Sequence, residues 1–97
     1  MSQPLTVIAR MRAKSGQEAR LKQELLSLLA PSRAEAGCLL YDLHQSQTDP
    51  ALFVFYETWK SQADLDAHFE TPHIRAIAKL LPEMLESPMD LSAWTKL

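Results

Sequence analysis

Apolar and polar positions alternate over residues 5–13. Val7, Ala9 and Met11 fall on one side, and Thr6, Ile8, Arg10 and Arg12 on the other, which predicts a strand. Lys14-Ser15-Gly16 is turn chemistry. Over residues 17–36 the period becomes helical. Leu21, Leu25, Leu28 and Leu29 form an apolar stripe, while Glu18, Arg20, Lys22 and Glu24 face water. Pro31 has no N–H to donate and is expected to kink or break this helix, with Ser32 or its neighbours restarting it. Gly37 supplies a stop. Residues 38–47 and 52–59 read as two further strands, the second rich in β-branched and aromatic residues. The Thr48-Asp49-Pro50 turn between them makes an antiparallel hairpin. Ser61 with Asp64 resembles a capping box and starts a short helix to about residue 70. Thr71-Pro72 is a second helix start, and Ile74, Ile77, Ala78, Leu81 and Met84 point that helix inward until Ser87-Pro88 ends it. Residues 89–95 close the chain as a strand, with Met89, Leu91 and Ala93 alternating against Asp90, Ser92 and Trp94.

The order is β-α-β-β-α-(α)-β, one α+β domain over residues 1–97. Right-handed crossovers and a hairpin between the second and third strands place the first and third strands centrally. The result is a ferredoxin-like, four-stranded antiparallel sheet with helices on one face. The other face lacks a cover. Both parities of the second and third strands carry apolar residues, Leu39, Leu40 and Tyr41 in one and Phe53, Val54 and Tyr56 in the other. A second copy over that face, and hence a homodimer, is the expected remedy.

The chain has 97 residues, of which 46% are apolar and 23% charged, the balance of a globular domain. A formal net charge of −2, with Lys and Arg scattered, offers no basic field for nucleic acid or anionic lipid. No apolar run reaches spanning length and Met1-Ser2-Gln3-Pro4 lacks signal-peptide character, so no membrane is expected and a cytoplasmic location is. The lone Cys38 forms no internal disulfide and opens an apolar strand as a small buried hydrophobe.

The chemistry-bearing residues crowd into positions 53–75. Trp59 is expected as a wall of an aromatic pocket, able to stack on a flat ring and offer its indole N–H. Glu57, among Phe53, Phe55 and Trp59, is expected to be partly buried, either touching substrate or paired structurally with Arg10 or another donor. His68 lies one turn after Asp64, which can hold its ring and raise its pKa, and Phe69 marks the adjacent apolar face. His73 lies in the first turn after Pro72, where a positive helix end disfavours added charge and suits a base. His68, His73 and Trp59 are thus the catalytic candidates, with Glu57, His44, Phe55 and Phe69 as substrate contacts. Each also has a structural reading, as core aromatic, satisfied boundary histidine or surface residue. His68 and His73 are five apart across a helix break, unlike a helical metal pair, and no phosphate loop or cysteine cluster is present. No metal or other cofactor is expected.

Val7-Ile8-Ala9-Arg10-Met11-Arg12-Ala13-Lys14-Ser15-Gly16, Ser32-Arg33-Ala34-Glu35-Ala36-Gly37-Cys38-Leu39-Leu40-Tyr41, Tyr56-Glu57-Thr58-Trp59, Ala67-His68-Phe69 and Thr71-Pro72-His73 occur in an order and spacing that resemble the antibiotic biosynthesis monooxygenase family. The resemblance implies a small dimeric ferredoxin-like protein. Within that family, some members oxidise electron-rich aromatics with O2 and no metal or flavin, others degrade haem, and others isomerise or process small signalling sugars. The haem-degrading pattern needs an Asn on the first strand and a His well along the last helix. The first strand has no Asn, and the second position corresponds to Ala78. The expectation is therefore a cofactor-independent monooxygenase taking a small hydroxylated aromatic or quinol and O2. An isomerase-type enzyme and a non-catalytic ligand-binding dimer are the alternatives.

Overall fold

The computed structural model describes residues 3–97. Its elements are β1 (Leu5–Arg12), α1 (Glu18–Leu26), α2 (Leu29–Arg33), β2 (Cys38–Gln45), β3 (Leu52–Trp59), α3 (Gln62–Phe69), α4 (Pro72–Met84) and β4 (Asp90–Thr95). The strands form one sheet in the order β2-β3-β1-β4, with every neighbouring pair antiparallel. This is the ferredoxin-like α+β arrangement that the alternation pattern predicts.

The register decides which side chains meet. Tyr41, Glu57, Val7 and Ala93 stand in one row across the sheet, and Leu43, Phe55, Ala9 and Leu91 in the next. Both rows face the helices, because the period of two sends alternate residues to the same side. Leu21, Leu25, Leu28, Leu65, Ile77 and Met84 come down from the helical layer to complete the core. The opposite face carries Ile8, Arg10, Leu40, His44, Val54, Tyr56 and Trp94, of which all but Ile8 and Val54 are exposed.

Prolines shape the helices. Pro31 cannot donate to the carbonyl of Ser27, four residues back, and Ser27 is where α1 ends. The break therefore falls one turn ahead of the proline, and Pro31 itself lies inside α2. α4 stops at Met84, short of the Ser87-Pro88 stop. The chain leaves the helix there because β1 captures it: Glu86 N donates to Arg12 O at 2.9 Å and Lys14 N to Met84 O at 2.7 Å.

Gly37 has a role different from a left-handed helix stop. Among the described residues only Gly16 has a positive φ, at 88°. A Cβ on Gly37 would instead lie 2.2 Å from Cγ of Asp64. The glycine lets the first turn of α3 press against the loop entering β2.

Candidate active site

A cavity of about 140 Å³ lies between the sheet and the helices. Its floor is Ala9, Met11, Phe55 and Leu91, and its roof includes Leu25, Leu28, Ile74 and Ile77. Tyr41 and Phe69 add aromatic wall. Among the described residues, Glu57 and His68 give it its only carboxyl and imidazole.

Glu57 arrives from β3 on the inner face. Its Oε1 accepts the Trp59 indole N–H at 2.9 Å, two residues along the same side of the strand. Arg10 is exposed on the other face, so it does not partner Glu57. Burial pushes the Glu57 carboxyl up to about 7, against the pull of the Trp59 hydrogen bond and with repulsion from Glu35 adding to the rise. Trp59 is fully buried and does not line the cavity. It supports the wall from behind, holding Glu57 through its N–H and packing its ring 4.5 Å from that of His68.

His68 is positioned by α3, whose start is set by Ser61: its Oγ accepts Asp64 N at 3.3 Å and donates to Asp64 Oδ2 at 2.9 Å. Asp64 is occupied there and does not hold His68. Glu35, in the turn between α2 and β2, does so, with its Oε2 2.7 Å from His68 Nδ1. His68 is 2% exposed, inside the core and not at its edge, with Tyr41, Trp59 and Phe69 around its ring. Burial pushes its pKa down, outweighing the upward pull of Glu35, so the sequence-based expectation of a raised value is corrected.

His73 does not line the cavity. Its Nε2 lies 2.9 Å from the same Glu35 oxygen and 3.3 Å from Thr71 Oγ1, behind His68. The Thr71 hydroxyl does not cap α4 but donates to the carbonyl of His68 at 2.7 Å, tying the two helices at their junction. His44 is exposed on the open face, opposite Val54, and reaches neither the cavity nor this cluster. Phe55 and Phe69 do line the cavity. Cys38 is half-buried, and burial pushes its thiol up, in keeping with an inert residue.

Glu35 is the site residue that sequence reasoning missed. Its one signal was its place in the Ser32–Tyr41 stretch that carries the family resemblance. With His68 and His73 it forms a two-histidine, one-carboxylate set whose ligating atoms lie within 4.8 Å of one another, a donor chemistry that suits zinc or ferrous iron. Neighbouring ligands around a tetrahedral zinc lie about 3.3 Å apart, given bonds of about 2.05 Å. The separations of 2.7 and 2.9 Å are those of hydrogen bonds. With the Glu35 carboxylate accepting from Nδ1–H, the neutral His68 ring leaves Nε2 as its basic nitrogen, and no hydrogen bond occupies Nε2 among the described residues.

A family model described as antibiotic biosynthesis monooxygenase matches residues 4–80. A protein of Escherichia coli strain K12, named as a probable quinol monooxygenase, is 31% identical over 85 residues, covering 77% of this chain and 82% of its own. An uncharacterized Synechocystis protein is 30% identical over 95 residues, covering 94% of this chain, and the match spans only 62% of that longer protein. The crystal structure of a Pseudomonas aeruginosa protein superposes with a TM-score of 0.95 at 41% identity, covering 100% of this chain and 97% of that one.

Proposed function

The chain belongs to the antibiotic biosynthesis monooxygenase family, and on that premise we propose that it is a cofactor-independent monooxygenase acting on a small hydroxylated aromatic with O2. The observation that carries this reading is an apolar cavity with one oriented imidazole and one buried carboxyl on its wall. His68 Nε2 takes the phenolic proton, and Glu35 steadies the imidazolium through Nδ1–H. The resulting anion is electron-rich at ring carbon, where O2 adds. Loss of water from the hydroperoxide leaves a carbonyl. One oxygen atom enters the product, the other leaves as water, and the substrate supplies all four electrons. Glu57, held near neutrality, can donate a hydrogen bond to the developing carbonyl. Apolar walls keep bulk water from the anion.

The same reading makes the functional unit a homodimer. Tyr56, Leu40 and Trp94 are exposed on the face opposite the helices, and a second copy would cover them. Among the described residues no helix is long and apolar enough to cross a membrane, and with a single cysteine the reading assigns the cytoplasm.

Oxygen uptake with a panel of phenols and benzenediols, run in ¹⁸O2, tests the reaction. One labelled oxygen per product and loss of uptake in His68→Gln are expected. A ligand-induced rise in Tm with no oxygen uptake would instead favour a binding protein, and product formed without oxygen an isomerase.

A further inference from the structure

We infer that the substrate is a phenol or catechol carrying an alkyl chain, with its ring at Glu57 and His68 and its chain in an outer cleft beyond the cavity. The reaction at the ring rests on the proposed oxygenase reading; the place of the chain does not.

The cavity is open at its apolar end. Leu91 and Ala78 both line it, yet Leu91 is 42% exposed and Ala78 is exposed as well. Beyond them lies a second cleft of about 480 Å³, and Ala78, Leu81 and Met89 line both spaces. One face of α4 and its C-cap joins the two. Ile74, Ile77, Ala78, Leu81 and Leu85 recur at helical spacing, the first four lining the cavity and the last three the cleft. The far wall is anchored by the backbone. Leu85 is buried and bridges Ala13, and Lys14 N donates to Met84 O at 2.7 Å.

The combined trough is long. Val7 stands opposite Glu57, and the chain runs on from Val7 to Ala13 beside Leu85. At the rise of a strand that separates the two ends by about 20 Å. A single ring at Glu57 and His68 leaves most of this length unfilled.

The lining changes along the way. At the polar end the Tyr41 and Phe69 rings lie 5.4 and 5.6 Å from that of His68, surroundings that suit a flat ring. Among the described residues the outer cleft has no aromatic lining; Leu81, Pro82, Leu85, Pro88 and Met89 make it aliphatic. Its charges, Lys14 and Glu86, are one of each sign, and Glu86 Oε2 lies 3.8 Å from Arg12 Nε. The cleft therefore favours an uncharged, apolar chain, to which the flexible Met89 can adapt. A chain half-covered there gains about two-fold in affinity for each methylene withdrawn from water.

Anaerobic calorimetry on the full chain tests this with catechol, 4-butylcatechol and 4-octylcatechol, the last kept below its micelle concentration. Affinity is expected to rise with chain length, on the order of 10²-fold from catechol to the octyl compound. Ala78→Trp places an indole in the passage and should cut the octyl-to-catechol affinity ratio at least ten-fold. Leu81→Gln places an amide there and should lower the same ratio, with circular dichroism confirming that each variant is folded. Equal affinities across the series in the unmodified protein would overturn the inference without any variant. A ratio that survives both substitutions would put the chain elsewhere and overturn it too. So would a light-scattering mass that falls as the octyl compound saturates, which would assign the cleft to a second copy. Chain-length dependence with no oxygen uptake in air would support this inference while refuting the oxygenase reaction. Oxygen uptake with affinity independent of chain length would do the reverse.

Discussion

Glu35 Oε2 sits 2.7 Å from His68 Nδ1, joining the loop before β2 to the last turn of α3 across 33 residues of chain. The contact fixes which imidazole nitrogen carries the proton and which is free to accept one. It also gives the two histidines unequal roles: His68 meets the cavity, while His73 meets the same carboxylate oxygen and Thr71 Oγ1 without lining the cavity.

Removing the base or its support should therefore differ in degree. His68→Gln is expected to lower turnover by about 10²-fold or more, the scale of a lost general base. Glu35→Gln keeps a hydrogen-bonding side chain but removes the charge that stabilises imidazolium, and should lower kcat with little change in KM. His73→Ala should cost less than either. Steady-state rates normalised to folded protein check the ranking, and full activity in His68→Gln would remove histidine from the mechanism.

Glu57 and His68 make stability depend on pH in opposite directions. The folded state raises Glu57 from 4.5 to about 7, so the neutral acid is the favoured form. Its contribution is complete below pH 4.5 and is lost as pH rises through about 7. A shift of that size corresponds to about 3 kcal/mol at full ionisation. Glu57→Gln, neutral at every pH and still able to accept from Trp59, should raise Tm relative to the unmodified protein at pH 8.5 and have little effect at pH 4.5. His68 is depressed, so its contribution is complete above the ordinary histidine value of 6.5 and is lost as pH falls. In Glu57→Gln, Tm should accordingly decline on acidification below that value. Thermal melts between pH 4.5 and 8.5 measure both slopes.

Gly37→Ala should be among the most damaging single-methyl additions in the chain. The added carbon meets the Asp64 side chain at 2.2 Å, and relief requires α3 to move. Overpacking of this kind costs about 1–3 kcal/mol. Because α3 carries His68, activity should fall beyond what lost stability explains. A variant as stable and active as the parent would show that α3 can shift freely.

The Glu35–His68–His73 set is expected to hold protons and no stoichiometric metal. Elemental analysis of protein purified without chelator, and Tm before and after EDTA, decide this. One equivalent of zinc or iron, with a Tm that falls on chelation, would assign the cluster to a metal.

Light scattering is expected to give twice 11.0 kDa at micromolar concentration. Trp94→Glu together with Tyr56→Glu places charges on the open sheet face, far from the cavity, and should yield the single-chain mass. An unmodified protein that runs as one chain would end the dimer proposal.

Local periodicity was enough to determine the elements and their topology. Val7, Ala9 and Met11 alternate because a strand repeats every two residues, and the Leu21–Leu25–Leu28 stripe follows from the helical repeat. The turn at Thr48-Asp49-Pro50 then leaves the chain few ways to arrange four strands. The same local reasoning singled out Glu57, His68, Phe55 and Phe69, all of which line the cavity, because the chemistry was concentrated around β3 and α3. It failed wherever a contact spans the chain. Asp64 was the carboxylate nearest His68 in sequence, but its own helix cap engages it, and the loop before β2 delivers Glu35 in its place. Trp59 looked like a pocket wall, and the packing of α3 over it turned it into the support behind that wall. His44 had the right residue type on the wrong parity. Hydrogen-bond partners, burial and pKa shifts depend on which distant segments close over a side chain, and the tertiary structure alone decides that.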